Sequence, residues 1–237
     1  MPELPEVEGV VNALKPVVTG KTIEEVTLSQ VLEESRKAGK QAIIKGTELA
    51  HFQQELADAK IIQIVRRSKY IYFHLEKNHQ SKLLVNHLGM SGAWFYVHET
   101  HEISEEKFRK HIHVIFKLND GMLLVYADIR RFGEMRLLES EEQFPPLLLM
   151  APEPFDESAR DHFLDMSKLV KYQNKSIKEV IMDGQVISGC GNIYATEALF
   201  RMNIHPARKV NRISQKRLSE LFHQVVVVLN ESILVGG

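Results

Sequence analysis

The chain has 237 residues, of which 44% are hydrophobic and 26% are charged, with a formal net charge of −1 at pH 7. This composition is typical of a folded globular protein, and its charge alone gives no indication of a nucleic-acid partner. Its one cysteine, Cys190, excludes an intrachain disulfide, and an acidic N-terminus with only short aliphatic runs does not fit a signal peptide or a membrane span, so we expect a cytoplasmic protein.

The first part of the chain is predicted to contain one helix followed by strands. Apolar residues recur at helical spacing over residues 5–18, and Gly20 ends the pattern. Short β-branched and aromatic stretches predict strands at 22–28, 61–65, 70–75, 82–86, 93–97, 111–118 and 122–127. The Asp120-Gly121 pair favours a hairpin with a tight primed turn between the last two strands.

The pattern changes after about residue 138. Residues 139–155 are acidic and rich in proline, which is typical of a linker. Helical periodicity follows at 159–172, 176–182, 193–202 and 214–234. Strands followed by helices predict an α+β protein with mostly antiparallel sheet, an N-terminal domain at 1–138 and a helical domain at 156–237.

The N-terminus carries a possible nucleophile. Removal of the initiator methionine would leave Pro2 with a free secondary amine, which can attack a sugar C1′ and form an iminium. Glu3 is the nearest group able to move protons in such a step. Ordinary N-terminal processing without any function is the alternative interpretation.

Two loop-like stretches combine apolar and cationic residues. Met90 lies between two glycines in 86–92, and Arg130 lies beside Phe132 in 126–133. Taken separately, Met and Phe indicate core packing. Together, the stretches provide what opening a duplex requires, because apolar wedges replace a flipped base and arginine holds its orphaned partner.

A glycine-rich corner precedes the helix predicted at 193–202. Gly189 and Gly191 flank Cys190, and Asn192 opens the helix. The corner is either a tight helix connection or a phosphate site, since amides at a helix N-terminus point towards an anion. His111 and His113 share a strand face, but no third ligand has suitable spacing, so we expect no metal site.

Six motifs, in order along the chain, resemble the formamidopyrimidine-DNA glycosylase family: residues 2–8, 66–70, 87–92, 128–133, 152–154 and 189–195. The resemblance implies a β-sandwich lobe with an N-terminal helix, then a helical lobe with a helix-two-turn-helix motif, and damaged double-stranded DNA bound in the cleft between them. It also implies base excision repair, in which oxidised purines such as 8-oxoguanine and formamidopyrimidines are excised and the strand is cut by β,δ-elimination.

The resemblance also implies roles for individual residues. Catalysis would involve Pro2 as the Schiff-base nucleophile, Glu3 as the proton donor at the sugar, and Lys69 as a proton donor and phosphate contact. Met90, Arg130 and Phe132 would fill the gap left by the flipped nucleotide. Asn192 would bind the phosphate beside the lesion, and His87 would be a further contact to the DNA backbone.

The chain departs from the family pattern in three places. Ile129 replaces the usual proline, and Ala151 replaces the usual glycine, both as tolerable loop changes. The family continues beyond a pair like Gly236-Gly237 into a lesion-capping loop and a four-cysteine zinc finger, which these residues do not contain. We therefore expect no metal or other cofactor in this chain, and we expect a monomer.

Two other functions remain open. An enzyme of the endonuclease VIII branch would use the same amine on oxidised pyrimidines, although Leu4 and the set Met90, Arg130 and Phe132 resemble the purine branch better. A lesion-binding protein without turnover is the second alternative, and a retained Met1 would favour it.

Overall fold

The computed structural model describes all residues from 1 to 237, and they form two compact units. The sheet unit comprises residues 1–2 and 10–144, and the helical unit comprises residues 3–9 and 145–237. The division at 144/145 falls inside the predicted linker, whereas residues 3–9 group with the helical residues. The α+β class is confirmed by the strands and helices described below.

The sheet unit contains two sheets. The four-stranded sheet has the order β1-β7-β8-β6 and consists of β1 (Ile23–Leu28), β7 (Ile112–Leu118), β8 (Leu123–Asp128) and β6 (Gly92–Val97). The five-stranded sheet has the order β2-β9-β5-β4-β3 and consists of β2 (Ile43–Ile44), β9 (Glu134–Leu138), β5 (Gln80–His87), β4 (Tyr70–Lys77) and β3 (Lys60–Arg67). Only β2 and β9 pair in parallel, so the predicted antiparallel character is confirmed.

One tryptophan joins the two sheets into a single core. The Trp94 ring on β6 lies 5.3 Å from the Phe73 ring on β4, and its indole N–H donates to Asn86 Oδ1 on β5 at 2.8 Å. The indole N–H therefore has a partner although the ring is buried, which removes the cost of an unsatisfied donor.

Several short elements of the sheet unit are not predicted by periodicity. They are α2 (Gln30–Lys37), α3 (Leu49–Leu56), α4 (Glu106–Arg109), β2 and β9. In α2 only Leu32 is buried, and in α3 only Phe52 and Leu56 are buried. With so few apolar residues, helices of two turns give too weak a repeat to be recognised.

The hairpin between β7 and β8 is confirmed, but the predicted primed turn is wrong. Gly121, with φ +82°, is the only residue of this turn in the left-handed region. Its N–H donates to Leu118 O at 3.0 Å, while Asp120 Oδ1 accepts from Met122 N at 3.0 Å. A turn that ends in one left-handed glycine joins the two strands without any other residue of positive φ, so Asp120 keeps a negative φ.

The helices account for the remaining regular structure. The first, α1 (Leu4–Val18), confirms the N-terminal prediction, and the boundary between the units falls within it. The helical unit also contains α5 (Ala159–Ser167), α6 (Val170–Gln173), α7 (Ile177–Ile181), α8 (Asn192–Arg201) and α9 (Gln215–Leu234). The single helix predicted at 159–172 is two helices, because Leu169 is extended with ψ 138°. Ser176 and Ser214 cap α7 and α9 by accepting from the N–H three residues later. No helix is both long and apolar enough to cross a bilayer.

Candidate functional site

A buried carboxylate ties together the two loops that carry the predicted wedge residues. Asp128 is fully buried at the end of β8. Its Oδ1 accepts from Ser91 Oγ at 2.7 Å and from Arg131 N at 2.9 Å. Its Oδ2 accepts from Gly133 N at 2.8 Å and from the Tyr126 hydroxyl at 3.2 Å. The loop after β5 and the loop after β8 therefore share one support.

The two loops also approach each other closely through their backbones. Gly89 has φ +62°, and a Cβ built on it would lie 2.4 Å from the carbonyl carbon of Phe132. Beside it, Ser91 Oγ accepts from Arg130 N at 2.8 Å. Only glycine fits both the conformation and the space at position 89.

These supported loops present apolar side chains to solvent. Met90 is 42% exposed and Phe132 is 57% exposed. The guanidinium carbon of Arg130 lies 4.8 Å from the centre of the Phe132 ring, within the range of a cation–π contact. The structure thus brings Arg130 and Phe132 together, with Met90 on the adjoining loop. Neighbouring large apolar side chains that remain exposed to solvent are typical of interaction sites.

His87, the last residue of β5, is held in one orientation. Its Nδ1 accepts from Gly89 N at 3.0 Å, and its ring meets Tyr70 edge-on with centres 5.0 Å apart. Burial lowers the pKa of His87 below its usual value; the charge of Glu134 opposes this shift and that of Lys69 adds to it. The ring is therefore neutral at pH 7, and with Nδ1 accepting, Nε2 carries the hydrogen and can donate it.

Lys69 lies in the turn between β3 and β4. The preceding Ser68 is buried and has φ +57°, so the turn is held in an uncommon conformation. Lys69 directly precedes Tyr70, which pairs with His87 across β4 and β5, so the charge of Lys69 lies in the same neighbourhood of the sheet unit. Lys69 itself is half-buried, as is Pro2.

The residues after Pro2 start α1 with one half of a capping box. Glu3 N donates to Glu6 Oε2 at 2.8 Å, while Val7 N donates to Glu3 O at 3.1 Å. A glutamate that reaches back three residues in this way satisfies an N–H that the helix leaves unpaired. The backbone of Glu3 is therefore fixed at the residue that follows Pro2.

The Glu3 side chain is bound by a different helix of the same unit. It is 2% exposed, and its carboxylate oxygens accept from Gly191 N at 2.7 Å and Ile193 N at 2.8 Å at the start of α8. Of the two interpretations of this corner, these bonds favour the tight connection for the Gly191 and Ile193 amides, because a carboxylate of the chain already accepts from them. Asn192 opens α8 as predicted and is exposed.

Sequence reasoning missed a chain of hydrogen bonds that runs from the Glu3 amide through Glu6 to Tyr194 and Ser232. The Tyr194 hydroxyl donates to Glu6 Oε1 at 2.5 Å and lies 2.6 Å from Ser232 Oγ on α9. Burial, with a further contribution from Glu6, raises the pKa of Tyr194 to about 12, so it stays protonated and remains a donor. Residues from α1, α8 and α9 thus hold Glu6, which in turn holds the Glu3 amide.

The predicted site residues are divided between the two units. The sheet unit contains Pro2, Lys69, His87, Met90, Arg130 and Phe132, and the helical unit contains Glu3 and Asn192. The sequence assigns no role to Asp128, Ser91, Glu6 and Tyr194, although each of them lies inside one of the six motifs. An aspartate directly after a predicted strand and just before two arginines is the one sequence signal that could have indicated Asp128.

The histidines and the cysteine do not assemble a metal site. His113 is buried, and its Nδ1 lies 3.0 Å from Ser29 Oγ. His111 precedes β7, and its Nδ1 lies 2.6 Å from Lys107 O. No three His, Cys, Asp or Glu side chains are placed to hold a metal ion. The zinc implied by the family therefore does not fit these residues, since Cys190 is the one cysteine and is buried.

Comparison with known proteins identifies the family. Residues 1–135 match the model of the formamidopyrimidine-DNA glycosylase N-terminal domain, and residues 150–237 match that of the H2TH domain of the same enzymes. Formamidopyrimidine-DNA glycosylases of Bacillus licheniformis and Bacillus subtilis are 36% and 37% identical over 239 residues, covering all of this chain and 80% and 79% of the relatives.

Solved structures give the same result. The Lactococcus lactis enzyme bound non-covalently to DNA containing an AP site has a TM-score of 0.80 and 28% identity, covering all of this chain and 83% of that one. A mutant of that enzyme with DNA containing Fapy-dG has a TM-score of 0.81 at 28% identity, covering all of this chain and 80% of that one. The chain therefore belongs to the formamidopyrimidine-DNA glycosylase family of DNA-repair enzymes.

Proposed function

We propose that this glycosylase excises oxidised purines from duplex DNA through a Schiff base at Pro2 and then cuts the strand by β,δ-elimination. The observation that carries the proposal is the pair of loops fixed by Asp128, on which Met90 and Phe132 stay exposed beside the Arg130 guanidinium. The family likeness supports the chemistry, and these loops support the use of a flipped nucleotide.

The loops suit the removal of a base from the helical stack. Extruding a nucleotide costs a few kcal/mol of stacking and pairing, and apolar side chains inserted in its place recover part of that cost. Met90 and Phe132 provide such side chains without rearrangement, because they are already exposed. Arg130 beside them can hydrogen-bond the partner base that is left unpaired.

Pro2 supplies the nucleophile after Met1 is removed. Its nitrogen forms a bond to C1′ as the glycosidic bond breaks, and the base leaves with the bonding electrons and takes up a proton. The nitrogen then loses its proton, the C1′–O4′ bond opens with protonation of O4′, and an iminium results. Loss of a C2′ proton expels the 3′ phosphate, and a second elimination expels the 5′ phosphate.

Glu3 and Lys69 are the proposed proton-transfer residues. The two α8 amides that bind the Glu3 carboxylate hold it in position next to the nucleophile in the chain. Lys69 provides a cation in a constrained turn, which suits both proton donation and a phosphate contact.

His87 and Asn192 are the proposed contacts to the DNA backbone. The Nε2–H of a neutral His87 and the exposed amide of Asn192 are both donors, as phosphate oxygens require. Damaged double-stranded DNA is then the partner of the enzyme. We expect the enzyme to be a monomer, with a mass by light scattering equal to that of one chain.

Borohydride trapping tests the nucleophile. The chain is incubated with a duplex containing 8-oxoguanine opposite cytosine, or with an abasic duplex, and borohydride reduces the iminium to a stable cross-link that peptide mass mapping locates. We expect the cross-link at Pro2 and a much lower yield in Pro2→Gly, because the primary amine of glycine is a poorer nucleophile for this step than the secondary amine of proline. The control is Pro16→Ala, which changes an exposed proline within α1. Cross-linking of Pro2→Gly at the wild-type level would refute the proposal.

The lesion class needs a separate comparison. Structures of the Lactococcus lactis enzyme are described with DNA containing Fapy-dG and with DNA containing an oxidised pyrimidine. We expect faster cleavage of 8-oxoguanine than of thymine-glycol duplexes, and the opposite order would favour a function like that of endonuclease VIII. Intact mass tests the third possibility, because a retained Met1 blocks the amine and leaves a lesion-binding protein without turnover.

A further inference from the structure

A cationic pocket lies beside the wedge loops, which are the loops after β5 and β8 that carry Met90, Arg130 and Phe132. A polar pocket between α2 and the loop after β8 is lined by Lys40, Lys45, Arg130 and Arg131. Glu34 is the only carboxylate that lines it. Four cations around one pocket contrast with a net charge of −1 for the whole chain, so this region is locally positive.

The segment that carries the two lysines is held in place by its own hydrogen bonds. Arg36 Nη2 donates to the carbonyl oxygens of Ile44 and Thr47, both at 2.7 Å. Ser35 Oγ accepts from Ala42 N at 3.2 Å, and Lys45 N donates to Met135 O at 2.9 Å. The backbone beneath the lysines is therefore anchored to α2 and to β9.

The cations of the pocket are available to a ligand. Lys40, Lys45 and Arg131 have no carboxylate partner among the ion pairs of the chain. The Glu34 carboxylate accepts from Gln30 Nε2 at 2.8 Å. Lys40 and Arg131 are exposed, and Lys45 is half-buried. Cations without a partner at a rigid surface favour binding of an anion from outside the chain.

We propose that Lys40, Lys45 and Arg131 bind backbone phosphates of the DNA next to the point where Arg130 meets the unpaired base. The proposal rests on the proposed function, since Arg130 lines this pocket and also stands beside the Phe132 wedge. Asp128 fixes the backbone of Arg131, so the pocket and the wedge loops have the same support. Phosphate contacts of this kind set the position of the protein on the duplex without reading its sequence.

The salt dependence of DNA binding tests this role. Each phosphate contact contributes about 0.9 to the slope of log K against log salt concentration. For the double variant Lys40→Ala/Lys45→Ala, we expect the slope to be smaller than that of the wild type by about 1.8, and the affinity at 0.15 M salt to fall about 30-fold. The ligand is a duplex with a tetrahydrofuran abasic analogue, which cannot be cleaved.

A matched variant removes the same charge elsewhere. Lys110→Ala/Lys117→Ala changes two exposed lysines of the same unit that do not line the pocket. We expect it to keep the wild-type slope, and we expect Lys40→Ala alone to lower the slope by about 0.9.

The pocket proposal is overturned if the Lys40→Ala/Lys45→Ala slope equals that of the wild type or if the control lowers the slope as much. Neither result depends on borohydride trapping, so failure of the Pro2 chemistry would be recognised separately.

Discussion

Replacing Asp128 with asparagine tests whether this carboxylate supports the wedge loops. An amide has one acceptor oxygen where the carboxylate has two, so its NH₂ group must face one pair of donors. If it faces Gly133 N and Tyr126, the hydroxyl can rotate to accept, but the buried Gly133 N–H loses its partner at a cost of about 2 kcal/mol. Weaker bonds from Ser91 and Arg131 to a neutral oxygen add about 1 kcal/mol.

We therefore expect Asp128→Asn to lower the free energy of unfolding by about 3 kcal/mol, as measured by urea denaturation. It should also weaken binding to the abasic duplex, because the loops that hold Met90 and Phe132 lose their common support. The control is Asp120→Asn, which changes a carboxylate outside the core that accepts from Met122 N and the Tyr96 hydroxyl and pairs with Lys21 Nζ at 3.5 Å. Water can replace those bonds, so its loss should stay below about 1 kcal/mol. Equal losses in the two variants would refute the reasoning.

Three further changes have definite expected results. Gly89→Ala should lower the free energy of unfolding by more than about 2 kcal/mol in urea, since a Cβ there meets Phe132 at 2.4 Å and φ is +62°; a loss under 0.5 kcal/mol would contradict the close approach. Tyr194→Phe should cost about 2 kcal/mol and slow trapping at Pro2, since Glu6 loses a buried donor; unchanged trapping would show that Glu6 does not position Glu3. Burial lowers the pKa of His113, so the unfolded chain takes up its proton first as the pH falls below about 6.5, and stability should decrease between pH 7 and 5. His113→Gln should reduce that decrease in parallel denaturation curves, and identical pH profiles would rule the histidine out.

Long elements with a regular apolar repeat could be predicted from sequence. The helices α1, α8 and α9 follow their predicted ranges closely, because each buries one face over at least ten residues. The break between α5 and α6 could not be predicted, since Leu169 keeps the apolar repeat while its backbone leaves the helix. Short α2 and α3 bury too few residues to produce a recognisable repeat.

The parts of the site that lie on local motifs could also be predicted. Met90, Arg130 and Phe132 stand in loops whose composition is unusual, and the structure gives them exposed positions. The partner of α8 could not be predicted in the same way. Sequence reasoning anticipated an anion at this helix N-terminus but not that Glu3, which is 188 residues from Gly191, supplies it.

The binding of Glu3 to α8 also has a consequence for the order in which the chain folds. Residues 3–9 belong to a unit whose other residues begin at Pro145. At about 5 to 20 residues per second, the ribosome needs about 10 to 40 s to add the 188 residues that separate Glu3 from its amide donors. Until then the nascent N-terminus is without its partner, so the residue next to the proposed nucleophile reaches its final position only late in synthesis.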